Sequence, residues 1–148
     1  MPLQDLQFSG ALVTRTTTFS MSTAITTIVL PNQVDYDTDG YFQADSGKFI
    51  APVSGYYAIG AVGAWSTNSL GTVRSLILQG PSSVLSQHRT SPLTVQPTCN
   101  PYAEVALNQG DTVDLRALQD SGSNMFLIGG TVHLSIRLLG VAAIGYRK

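Results

Sequence analysis

The chain has 148 residues, a net charge of −1 and charged side chains at only 11% of its positions, against roughly 25% in ordinary soluble domains. Eight basic residues balanced by nine acidic ones exclude the clustered cationic footprint of a nucleic-acid binder. No apolar run approaches the ~18 residues of a membrane-spanning helix, and the single cysteine, Cys99, has no partner for an internal disulfide.

Residues 1–7, Met-Pro-Leu-Gln-Asp-Leu-Gln, show neither a basic nor an apolar signal region, so no signal peptide is expected. They are assigned as an N-terminal docking segment. From there the hydrophobic period is two almost everywhere. Residues 8–18 and 26–30 are β-branched stretches. A longer run at 55–65 sets Tyr57, Ile59, Ala61, Gly63 and Trp65 on one face. Shorter strands are predicted at 73–78 and 104–107. At 112–118, Val113, Leu115 and Ala117 oppose Thr112, Asp114 and Arg116. The clearest alternation is 131–139, where Val132, Leu134, Ile136 and Leu138 alternate with Thr131, His133, Ser135 and Arg137. Gly- and Pro-bearing turn signals separate these runs, and no window carries the 3.6-residue period of an amphipathic helix. Eight to ten short strands predict an all-β sandwich or jelly roll, one domain at 8–140, with 141–148 left as an apolar tail. Ser and Thr, 15 of each, stand in for charge; a surface so poor in charge is expected to be covered by a partner.

Two motifs carry a resemblance. Gly47, Phe49, Pro52, Gly55 and Tyr57 spell G-x-F-x-x-P-x-x-G-x-Y, and residues 107–115 read L-x-x-G-D-x-V-x-L with Gly110 and Asp111 at its centre. Proline and glycine at 52 and 55 force a turn, Gly55 by tolerating positive φ, with Phe49 and Tyr57 on either side filling one end of a core. In this pattern the chain resembles the C1q/TNF-like superfamily. The resemblance implies a jelly roll of about ten strands that assembles as a compact homotrimer, with the last strand in the sheet facing the threefold axis. It makes Thr131, His133, Ser135 and Arg137 the candidate trimer interface. Without a Gly-X-Y stalk and without the aromatic pair often seen in the last strand, the chain is most similar to the short, collagen-free domains of phage and bacterial genomes. A segment like Val34–Gly40 precedes the signature there too.

Asp35, Asp37, Asp39 and Gly40 form D-x-D-x-D-G, the opening of a calcium loop. Ser46 stands where that loop needs a bidentate glutamate and no helix flanks it, so an acidic turn is expected and no cofactor is required, with Ca2+ as the alternative. His88, His133 and Cys99 are the only catalytic candidates of their kinds. No nucleophile elbow, metalloprotease motif or phosphate loop accompanies them, and no enzymatic activity is expected. Among the aromatics Tyr36, Tyr41, Phe42, Tyr56, Tyr57 and Trp65, the last two are expected in the core, leaving Tyr41 and Tyr56 freer to stack on a glycan. The expected function is a virion structural protein, assembled in the host cytoplasm and exposed on the particle, that decorates a capsid or forms part of a tail or fibre beside other virion proteins. The alternative is an adhesin that binds a cell-surface receptor or glycan through an exposed loop at 79–101.

Overall fold

The computed structural model describes residues 9–92 and 96–141. In chain order the strands are β1 (Gly10–Arg15), β2 (Phe19–Met21), β3 (Thr27–Ile28), β4 (Gln33–Asp37), β5 (Phe42–Gln43), β6 (Lys48–Ile50) and β7 (Gly55–Ala64). They continue with β8 (Arg74–Gln79), β9 (Val84–Thr90), β10 (Thr98–Cys99), β11 (Tyr102–Leu107), β12 (Thr112–Gln119), β13 (Met125–Leu127) and β14 (Val132–Val141). No described residue is helical. The number exceeds the expected ten because six of these strands are only two or three residues long. The segment 1–7 lies outside the described residues, as does the tail 141–148 apart from Val141, which closes β14.

Two antiparallel sheets make the sandwich. The first runs β7–β14–β1–β4, with β10 and β11 following each other along the free side of β7. The second runs β5–β6–β12–β8–β9, with β3 beside β12. A small β2–β13 pair stands apart from both, bridged to the long strand by Trp65 and Leu127. The alternation seen in the sequence places Val13, Tyr57, Ile59, Leu134 and Ile136 of the first sheet against Phe49, Leu76, Leu78, Val113 and Leu115 of the second, all buried in one core.

The two signature motifs turn out to be one structural unit. Phe49 pairs with Val113; the Ala51 amide donates to the Asp111 carbonyl at 2.8 Å, and the Gly110 amide to the Ala51 carbonyl at 2.9 Å. Phe49 and Tyr57 meet edge to face with ring centroids 6.2 Å apart. Gly47 and Gly110 have φ of +71° and +92°, which only glycine adopts without strain. Gly55 does not: it is needed because a Cβ there would sit 2.4 Å from the Gly140 carbonyl oxygen. The glycine therefore serves a close approach between β7 and β14 rather than positive φ.

Two expectations need correction. The acidic segment is not simply a turn, since Asp35 and Asp37 lie on edge strand β4, paired with β1. The stretch 79–101 is not an open loop, since β9 occupies Val84–Thr90 and pairs along β8. Both are edge strands with little apolar burial. β9 carries polar residues on both sides, whereas β4 alternates Val34 and Tyr36 with Gln33, Asp35 and Asp37 but shifts register against β1 and leaves both apolar residues exposed.

Candidate functional site

The outer face of the first sheet is built by the residues that alternate with the core. Strand register sets them in rows across the sheet. One row runs Tyr102–Gly60–Ser135–Leu12–Tyr36, from β11 to β4. A second runs Val62–His133–Thr14–Gln33, and a third Glu104–Ala58–Arg137–Gly10. Three aromatic side chains on this face stay open to solvent: Tyr36 at 40%, Tyr56 at 61% and Tyr102 at 55% exposure. Between them the residues are small, and a shallow hollow of about 240 Å³ is lined by Gly60, Ala61, Val62, His133 and Ser135.

The second sheet's outer face is different in kind. Arg116 there grips Asp114 through its Nε at 2.7 Å, and Gln87 donates to the Ser75 hydroxyl at 2.7 Å. An aromatic, small-residue face such as the first sheet's suits contact with protein.

Of the four sequence-predicted interface residues, His133, Ser135 and Arg137 share the first sheet's outer face. Thr131 stands one residue before β14. Its hydroxyl donates to the Ile128 carbonyl at 2.7 Å and accepts from the Ala64 amide at 3.1 Å, which ties the turn before β14 to the end of β7. His133 is oriented by a chain of hydrogen bonds. The Thr14 hydroxyl donates to the Asp35 carboxylate, so its oxygen is left to accept from His133 Nδ1 at 2.9 Å. The bonds from Thr14 and Gln33 hold the Asp35 carboxyl below its ordinary range. A hydroxyl between imidazole and carboxylate is committed to the carboxylate, so the histidine cannot activate it as a nucleophile.

The other catalytic candidates are dispersed. Cys99 is buried with its thiol donating to the Arg74 carbonyl at 3.5 Å, and burial pushes its pKa up, against the needs of a thiolate. His88 Nδ1 accepts the Asn100 amide at 2.8 Å. The three aspartates also point to separate tasks. Asp35 holds Thr14 and Gln33, Asp37 accepts the amides of Gly40, Tyr41 and Phe42, and Asp39 accepts the Ser9 hydroxyl. Among the described residues no three His, Cys, Asp or Glu side chains are grouped to hold a metal ion.

No family model and no curated protein sequence matches the chain. Solved structures do. The globular domain of zebrafish complement 1qA superposes with a TM-score of 0.70 at 18% identity, over 90% of this chain and 99% of that one. Eiger TNF from S. frugiperda gives 0.72 at 12% identity, over 95% and 98%, and murine APRIL 0.70 at 13%, over 90% and 100%. The chain has the C1q/TNF-like fold.

In this C1q/TNF-like jelly roll the last strand, β14, lies inside the first sheet between β7 and β1. The face that the sequence resemblance turns toward a threefold axis is therefore the aromatic one. Tyr57 and Trp65 are core residues as expected, while Tyr36, Tyr56 and Tyr102 share that face without forming one cluster, since β14 and β1 separate Tyr36 from the other two. Tyr102, Gly60 and Leu12 escaped the sequence reading. Each looked like a routine strand residue, and only the register between strands distant in sequence sets them in one row.

Proposed function

We propose that this chain is a non-enzymatic structural module that closes into a homotrimer through the outer face of its first sheet and serves as a component of a phage particle, on the capsid surface or in the tail or fibre. The observation that carries the reading is the row Tyr102–Gly60–Ser135–Leu12–Tyr36, with its half-exposed rings at the two edges and small residues in the middle. Covering such rings removes apolar area from water at about 25 cal/mol per Å², and cyclic closure covers the same face on every copy. The role in a particle is supported by the sequence resemblance to short, collagen-free jelly rolls of phage genomes. The dispersal of His88, His133 and Cys99 supports a role without catalysis.

The test places one large charge on each sheet. Ser135→Arg, in the middle of the first sheet's face, is expected to give a folded monomer, while Gln87→Arg on β9 leaves assembly intact. Trimers of Ser135→Arg would overturn the face assignment. Copies of the chain at stoichiometric abundance in purified particles support the second half of the proposal, and their absence contradicts it.

A further inference from the structure

The charges on the first sheet's outer face are few and unevenly placed. Glu104 stands on β11, at the sheet edge; Arg137 stands on β14, one strand further in than β7. Both flank Ala58 in the same row, which separates their Cα atoms by two strand spacings, roughly 9–10 Å. Both are exposed. They do not pair with each other: the Glu104 carboxylate accepts the Tyr102 hydroxyl at 2.8 Å, and the Arg137 guanidinium, which forms no ion pair among the described residues, reaches that hydroxyl only through its charge. The remaining charged group of the face, Asp35, lies on the opposite edge strand and is satisfied by Thr14 and Gln33.

The face therefore has acid at its edges and, toward its centre, a guanidinium that no carboxylate pairs among the described residues. A threefold interface is head to tail, so one part of each copy meets a different part of the next. Burying Arg137 without a counter-charge is strongly unfavourable. Laying the β11 edge of one copy on the β14 strand of the next brings the acidic edge to the basic centre. Resting on the trimeric reading of this face, we infer that Glu104 of each copy pairs with Arg137 of its neighbour, and that this pair sets the direction in which copies close the ring. Tyr102, whose ring lies over Gly60, donates its hydroxyl to Glu104 and so fixes the carboxylate on this face.

The experiment uses Glu104→Arg and Arg137→Glu, each in the full chain, followed by sedimentation and circular dichroism. Each single variant keeps the β spectrum of the wild type, because both positions are exposed, but needs about tenfold or more higher concentration to assemble, since like charges now face each other at every contact. The two variants are then mixed. In a mixed ring of three, two of the three contacts become complementary, so trimers reappear at concentrations where neither variant assembles alone. A pair formed within one chain gives no such rescue, because each chain in the mixture keeps its own like charges. Unchanged assembly of the single variants, or no recovery on mixing, overturns the pairing while leaving the trimer standing. A monomeric wild type removes the trimer itself, so the two failures are distinguishable.

Discussion

The Tyr57 hydroxyl donates to the carbonyl of Val53 at 2.7 Å, reaching back from the second residue after the Pro52–Gly55 bend to a residue inside it. Tyr57 is otherwise buried against Phe49, so a single side chain closes the bend with its polar end and fills the core with its ring. Tyr57→Phe keeps the ring and loses the bond; a loss of about 1 kcal/mol is expected. Tyr57→Ala loses both, at about 3–5 kcal/mol. Urea unfolding of the two variants measures the difference, and equal losses would show that the hydroxyl, not the ring, carries the contribution.

Two glycines separate close approach from backbone conformation. At Gly55 a Cβ would meet the Gly140 carbonyl oxygen at 2.4 Å and Leu138 Cδ1 at 3.0 Å, so Gly55→Ala forces β7 and β14 apart and costs about 1–3 kcal/mol. At Gly40, φ is +70° and nothing lies within 4 Å, so Gly40→Ala carries only the left-handed strain of about 1 kcal/mol. Thermal melts of both variants should rank Gly55→Ala the less stable. The reverse order contradicts the packing argument.

Arg74 is fully buried, and its guanidinium donates to the carbonyls of Val73, Asn68 and Leu70 at 2.8–2.9 Å. Burial pushes its pKa down and Asp120, 3.7 Å away, pushes it back up. Arg74→Met fills the volume and leaves three carbonyls without their donor, for an expected loss of about 2–4 kcal/mol. A variant as stable as the wild type in urea would show that these carbonyls find other donors.

Asp120 gives the fold an acid-sensitive joint. The Thr72 hydroxyl and the amides of Val73 and Thr72 hold its carboxyl at about 2, below the ordinary 3.8. A depressed folded-state pKa means that the carboxylate contributes fully above 3.8 and loses its contribution as pH falls from there toward about 2. Unfolding midpoints of wild type and Asp120→Asn, measured from pH 5 to pH 2, should converge across that window. A gap that stays constant rules out Asp120 as the titrating group.

The sequence shows the long strands that bury one face, and misses short ones such as β13 even though Met125 and Leu127 are buried. The alternation of Val132, Leu134 and Ile136, and of Val113, Leu115 and Ala117, exists because those residues face the core, and the signature motif is legible because Gly47 and Gly110 meet conformations that only glycine accepts freely. Strand β9 is hidden because it keeps polar residues on both sides, and β4 because its Asp-rich run reads as a turn although Val34 and Tyr36 alternate in it. The outer face of the first sheet was half legible. His133, Ser135 and Arg137 alternate within one strand, whereas Tyr102, Gly60 and Leu12 join them only through pairing between β11, β7, β14 and β1, which no local pattern encodes.

Sedimentation equilibrium of the wild-type chain at micromolar concentration tests the central claim most directly. A trimer closed through the first sheet predicts a mass near three times 15.7 kDa. A stable monomer, with Tyr36, Tyr56 and Tyr102 left open to water, would contradict it.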